Sequence, residues 1–474
     1  MSLLRSQFMH NEMGTESNHN LSSNLLEKYS ISVPRYTSYP TAPEWSEKFS
    51  VSDWQVACNQ GNKSKAPISL YFHLPFCENQ CYFCACNIVI SKKREVTVPY
   101  LRYLKQEIEN TAKSLDKDRL VEQIHLGGGT PTYFEPEQLE DLFDTIRKNF
   151  VLSESCEIGV EVDPRVTTYE HMEMLSKLGF NRISMGVQDF NTNVQQSINR
   201  VQPFVDTREI FDYARELGFL SINVDLIYGL PYQTRETFID TIKNILRLDP
   251  DRIALFHYAH LPQMIPHQDK YIDDKTLPSS EEKIKIFQYA VESLMNNGFA
   301  YIGLDHFAKP TDELSLSKES HSLHRNFQGY TTKAGCDLFG FGITSISNIQ
   351  NTYSQNIKKL NPYYEKIEKN EPPVFRGLVL SREDVIRKDI IMNLLCDGIL
   401  FKKDIEEKFG IEFNSMFDEE LKMLILLGND NLVDLKQDVI IVTPLGQFFL
   451  RNIACVFDSY FQSKTGKKIF SKSI

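Results

Sequence analysis

The chain has 474 residues, 41% hydrophobic and 24% charged, which suffices for one large core with a smaller domain beside it and excludes disorder on a large scale. A formal net charge of −11 disfavours a non-specific grip on nucleic acid or an anionic membrane, so any acidic ligand must be held by a local basic pocket. The opening "MSLLRSQFMHNEMGTESNHN" lacks an apolar leader and no run of about 18 apolar residues follows, so a soluble, cytoplasmic protein is expected.

In chain order, the first 30 or so residues are polar, rich in Ser and Asn, and read as a mobile arm. From about residue 66, short β-branched or aromatic runs alternate with helical patterns. The runs are "ISLYFHLP", "EQIHLGGGTP", "EIGVEVDP", "RISMGVQD", "INVDLIYGLP", "RIALFHYAH" and "YIGLDHFA". Among the helices between them, "DTREIFDYARELG" has Asp206 placed to cap it and Gly218 to stop it, and "PSSEEKIKIFQYAVESLMNNG" opens on a capping box of Ser279 and Glu282. Repeated strand–helix units imply a parallel sheet, either a complete or partial β/α barrel or a doubly wound sheet. Gly, Asp, Glu, Gln and His collect at the C-terminal ends of the runs, where barrel enzymes place their chemistry, which favours a partial barrel. From about residue 381, starting at "SREDVIRKDIIMNLLCDG", the pattern turns helical, with a short strand-like pair around "NLVDLKQDVIIVTPLG". This predicts an arm and lid segment over 1–55, a barrel over 56–375 and a mainly helical C-terminal domain of winged-helix character over 376–474. The acidic, unpatterned surface of that domain argues against DNA binding.

Residues 77 to 86 read "CENQCYFCAC", four of the nine cysteines in one loop. In a reducing compartment such a group serves metal or redox chemistry rather than structural disulfides. Structural zinc usually takes two separated pairs, whereas three thiolates on one loop after a strand suit three irons of a cubane cluster and leave the fourth iron open. The ligands expected are Cys77, Cys81 and Cys84 of a 4Fe-4S cluster, with zinc as the lesser alternative. Cys86 follows at a spacing of one residue, where a packed or accessory thiol is as good a reading as ligation.

With "LYFHLPFC" ahead of it, the C-x3-C-x2-C loop resembles the radical S-adenosylmethionine enzymes, in which the cofactor's amino and carboxylate groups chelate the open iron. "PRYTSYPTA", "CYFCACN", "HLGGGTPTY", "EVDPR", "NRISMGVQDFN", "DLIYGLP", "YAHLP", "DHFA" and "LHRNFQGYTT" narrow this to a resemblance to the oxygen-independent coproporphyrinogen III oxidase family, from about residue 30 onward. The resemblance implies a partial (β/α)6 barrel and two S-adenosylmethionine molecules in one site. Tyr71, Gly128, Glu161 and Ile346 would line the cluster-bound molecule, and Phe83, Gly129, Thr130, Gln188, Arg200, Asp225 and Ala259 the second. It implies hydrogen removal from propionate β-carbons of coproporphyrinogen III and loss of carbon dioxide, leaving two vinyl groups. It also implies a flavodoxin or ferredoxin system as electron donor, and a monomer.

The residues make chemical sense in these roles. Gly128 and Gly129 let backbone lie against a ligand, although "GGGTP" also reads as a structural turn. Glu161 and Asp225 sit at strand ends where carboxylates accept from an amino group or ribose hydroxyl, and helix caps or ion pairs are the plainer alternative. A substrate with four propionates needs basic partners, for which Arg35, Arg165, Arg200, Arg325 and His324 are available, each equally at home in a surface ion pair. "PRYTSYPTA" reads as an ordered lid over the pocket. Two other functions are considered: a related haem-binding chaperone without decarboxylase activity, whose members lack the "PRYTSYPTA" and "HRNFQGYTT" blocks, and a redox-sensing iron-sulfur or zinc protein.

Overall fold

The computed structural model describes residues 22–462 and 470. Six parallel strands follow one another round a partial barrel: β1 (Ile68–Leu74), β2 (Leu120–Gly128), β3 (Val151–Val162), β4 (Arg182–Gln188), β5 (Ser221–Tyr228) and β6 (Arg252–His257). Helices cross between them, as the alternation predicts. The run "YIGLDHFA" departs from that rhythm: it folds into two antiparallel strands, β7 (Ala300–Gly303) and β8 (His306–Ala308), and β8 closes on β6. At the other edge β9 (Asp337–Phe341) pairs parallel to β1, and three antiparallel strands, β10 (Ile346–Ile349), β11 (Thr352–Asn356) and β12 (Val374–Val379), complete a twelve-stranded sheet.

Register sorts the side chains. Phe72, Leu126, Val160, Ile183 and Ile222 lie in one row across β1 to β5, all buried under the helices. Residues of the other parity face the barrel interior and are polar. One row runs Glu161, Ser184, Asn223, Arg252, and the next Gly186, Asp225, Ala254, His306. Such a lining in a barrel signals a ligand-filled space rather than a packed core. The barrel floor is closed by polar pairs: Gln123 donates to Glu157 at 2.8 Å, Arg182 to Glu313 at 2.5 Å and Arg252 to Asp312 at 2.9 Å.

Local signals were met unevenly. Of the expected mobile arm, residues 1–21 lie outside the described residues, while Ser23–Tyr29 forms a helix capped by Ser22, with Leu26 buried. The helix Phe204–Glu216 starts before Asp206, which sits in its first turn rather than at its cap, and Pro203 takes the N-cap. Ser279 caps Ser280–Asn296, but the Glu282 carboxylate turns away to accept from the Arg235 amide at 2.6 Å, so no box closes. The helix Arg382–Cys396 does open on a capping box, of Ser381 and Asp384. Beyond it, Ile399–Phe401, Val439–Val442 and Val433–Leu435 form a three-stranded sheet among short helices.

The "PRYTSYPTA" segment is ordered and threaded under these last helices. Val33, Tyr36 and Tyr39 are buried, the Tyr36 hydroxyl donates to Asp458 at 3.0 Å, and Arg451 donates to the carbonyls of Pro34, at 3.1 Å, and Val33. No helix among the described residues is long and apolar enough to cross a membrane.

Candidate active site

Cys77 ends the short strand Phe76–Cys77 just beyond β1, and Cys81 and Cys84 follow on the loop it begins. The loop leans on the "GGGTP" turn. The Gly129 amide donates to Leu74 O and the Thr130 amide to Phe76 O, both at 2.9 Å, and the Thr130 hydroxyl lies 3.4 Å from Cys77 Sγ. Gly129 carries no side chain for a concrete reason: a Cβ there would stand 2.6 Å from the Pro75 carbonyl carbon. Gly128, at φ +114°, would drive a Cβ to 2.5 Å from His73 Nδ1.

Cys81 Sγ faces two guanidiniums, Arg165 Nη2 at 3.6 Å and Arg200 Nη1 at 3.8 Å. Both are anchored by Asp163, which accepts from Arg165 at 2.6 Å and Arg200 at 2.9 Å. Burial pushes the Asp163 carboxyl up, but the charges of Arg200 and Arg165 prevail and hold it at about 2. Arg200 also donates to Gly186 O at 2.5 Å, while its buried Nε has no partner among the described residues. The Cys84 thiol is lowered chiefly by a hydrogen bond with Cys86, and burial raises Cys77 to about 12.

Deeper in, the Tyr71 hydroxyl meets His73 Nδ1 at 3.1 Å, and its ring stacks on His125 with centroids 6.1 Å apart. Glu161 accepts from the Gly128 amide at 3.0 Å and lies 3.4 Å from His125 Nε2. Burial raises its carboxyl, yet the bond with His125 and that imidazole's charge leave it below the ordinary value. Asp225 is the opposite case: burial and the nearby Glu161 charge push it up to about 6, against bonds from Asn223 at 2.7 Å and Ser184 at 3.2 Å. Gln188 stands at φ +71° at the end of β4. Ile346 backs onto Gly340, which pairs with Tyr71 across the sheet.

Three residues missed in the sequence complete the site. Asp163 is the clamp just described. Gln268, fully buried, donates to Phe83 O at 3.0 Å and Ala259 O at 3.2 Å, tying two positions 176 residues apart. His267 Nε2 lies 2.7 Å from Cys84 O. Of the candidate substrate bases, Arg35 pairs with Asp305 at 2.8 Å, Arg165 and Arg200 are committed to Asp163, and His324 and Arg325 lie on the hairpin 324–331.

Three thiols on one loop suit an iron-sulfur cluster. Among the described residues no three His, Cys, Asp or Glu side chains converge on one point as a single ion requires. A cubane takes each thiolate on a different iron, so its ligands need not converge. The donors aimed at Cys81 Sγ and the unpartnered Arg200 Nε are the surroundings an anionic cluster and a polar cofactor would use.

A family model for the radical SAM superfamily matches residues 71–245. The oxygen-independent coproporphyrinogen III oxidase of Synechocystis sp. is 45% identical over 457 residues, 96% of this chain and 98% of that protein. The protein of the same name from Escherichia coli strain K12 is 44% identical over 450 residues, 95% and 98% of the two chains. A solved coproporphyrinogen III oxidase from Escherichia coli, described as a radical SAM enzyme, superposes with a TM-score of 0.87 at 42% identity over 91% of this chain and 100% of that one.

Proposed function

The chain belongs to the oxygen-independent coproporphyrinogen III oxidase family of radical SAM enzymes, and we propose on that footing how its own residues serve the reaction. The reaction is the anaerobic oxidative decarboxylation of two propionates of coproporphyrinogen III to vinyl groups, giving protoporphyrinogen IX in haem biosynthesis. When bound, a 4Fe-4S cluster and S-adenosylmethionine supply the one-electron chemistry that takes hydrogen from the propionate β-carbon. Cys77, Cys81 and Cys84 are the residues that would hold the cluster.

The carrying observation is the polar barrel mouth in which the cysteine loop meets the Arg165–Asp163–Arg200 clamp. Both guanidiniums donate toward Cys81 Sγ, where they would offset the negative charge of a bound cluster. Two S-adenosylmethionine molecules fit two differently tuned carboxylates. Glu161, fixed by the Gly128 amide and held below the ordinary carboxyl value, would accept from the amino group of the first, beside Tyr71 and Ile346. Asp225 would accept from the second, with Phe83, Gly129, Thr130, Gln188, Arg200 and Ala259 around it, and Arg200 Nε, without a partner among the described residues, would offer that molecule a donor. Gln268 holds Phe83 and Ala259 at one spacing. The ordered 34–42 segment serves as a roof that excludes water from the open side of the barrel. An external donor of flavodoxin or ferredoxin type, a monomer and a cytoplasmic setting complete the proposal.

The test is turnover by anaerobic, cluster-reconstituted protein given reductant, S-adenosylmethionine, an electron acceptor and coproporphyrinogen III. Vinyl product with carbon dioxide, methionine and 5'-deoxyadenosine is expected. A preparation with an intact cluster that cleaves S-adenosylmethionine yet forms no vinyl group would overturn the reading in favour of the haem-binding chaperone.

A further inference from the structure

Arg325 is a buried cation that meets no carboxylate among the described residues. The buried guanidiniums of Arg119, Arg200 and Arg387 meet the carboxylates of Asp337, Asp163 and Glu420, the half-buried Arg252 meets Asp312, and the buried Arg451 donates to the Pro34 and Val33 carbonyls. Arg325 is 7% exposed, and neither its Nε nor its Nη1 has a hydrogen-bond partner among the described residues. It lies on the hairpin formed by His324–Arg325 and Tyr330–Thr331, its guanidinium 4.8 Å over the Tyr330 ring. That ring is fixed in turn by its hydroxyl, which donates to Leu395 O at 2.8 Å.

From Tyr330 the contacts run into the barrel. The His306 ring stands edge-on to Tyr330 at 5.4 Å and to Phe256 at 5.9 Å, and Arg35 lies over Phe256 at 5.2 Å. His306 belongs to the interior row, two strands round from Asp225, and its buried Nδ1 also has no partner among the described residues. The charged groups facing it are Arg325, Asp305, Arg35 and Arg252. Asp305 is already taken by Arg35, and Arg252 by Asp312 and Glu313. Burial and then the Arg325 charge push the imidazole down to about 3, so it is neutral and able to donate one hydrogen bond. A buried cation without counter-charge destabilises a fold.

We propose that Arg325 and His306, with Arg35 beside them, form a carboxylate-binding site at the barrel edge that takes a propionate of a tetrapyrrole. The rings of Phe256 and Tyr330 give the pyrrole rings of the macrocycle an aromatic wall. The ligand class rests on the oxidase reading, whereas the anion site rests on the unpartnered groups alone.

Arg325→Met keeps the packing over Tyr330 and removes the charge. Coproporphyrin III, the stable oxidised tetracarboxylate, is titrated by absorption into full-length wild type and variant, and melting is followed with and without glutarate. The variant is expected to bind coproporphyrin III at least tenfold more weakly, to melt at or above the wild-type temperature, and to lose the thermal protection that glutarate gives wild type. A lower melting temperature, or a dissociation constant within twofold of wild type, would mean that Arg325 is structural and overturn the site. Glutarate protection of wild type that disappears in the variant, without coproporphyrin III binding to either, would uphold the anion site and sink the oxidase reading.

Discussion

Gly129→Ala tests whether the glycine turn positions the cluster loop. The added Cβ would meet the Pro75 carbonyl carbon at 2.6 Å, Phe76 O at 2.7 Å and Pro75 O at 2.8 Å, all backbone that cannot rotate aside. Restoring ordinary contact near 3.4 Å requires the strand to retreat by about 0.8 Å, and the residue after Phe76 is Cys77. Overpacking of this kind costs about 1–3 kcal/mol. A control separates that loss from its location: at Gly218, φ +81°, nothing stands within 4 Å of a Cβ, so alanine there incurs only left-handed backbone strain of about 1–2 kcal/mol. Both variants should therefore lose similar stability, while Gly129→Ala alone shows reduced iron and sulfide after reconstitution and weaker S-adenosylmethionine binding by equilibrium dialysis. Wild-type iron content and cofactor affinity in Gly129→Ala would refute the positioning role.

Cys77→Ala, Cys81→Ala and Cys84→Ala should each abolish the cluster by iron and sulfide analysis, whereas Cys86→Ser keeps it; full iron in any of the first three removes that residue from the ligand set. Glu107 accepts from the Gly342 amide, Asn356 and Tyr363, and burial raises its carboxyl to about 7 against these bonds. Because the folded value exceeds the ordinary 4.5, its contribution is full below pH 4.5 and lost as pH rises through about 7, a change of about 3 kcal/mol. In denaturant titrations the stability gap between wild type and Glu107→Leu should narrow by that order from pH 5 to pH 8; a gap that stays constant would mean Glu107 does not titrate there.

The parts of this fold legible in the sequence are those written in short range. Strand–helix alternation located all six barrel strands, because period-two and helical patterns are local. The same locality misplaced "YIGLDHFA": its composition suits any strand, and only the pairing of β8 to β6 makes it antiparallel. Glu282 has the spacing of a capping box but found the Arg235 amide, 47 residues away, a better donor. At the site, the cysteine loop announces itself by spacing, whereas Gln268 reaches Phe83 across 185 residues and is an ordinary polar residue in a short helix. Asp163 lay inside the quoted "EVDPR" block, and only the folded chain shows that it clamps two arginines beside Cys81.

The threading of Val33–Tyr39 beneath the final helices sets an order of assembly. Besides Asp305, the side chains that bond to this segment are Arg451, Asp458 and Ser459, more than 400 residues later in the chain. On the ribosome, every barrel strand is synthesised before those partners emerge, and the segment made among the first docks among the last. Completion of the last helices is thus the step that lets residues 33–39 take their buried place.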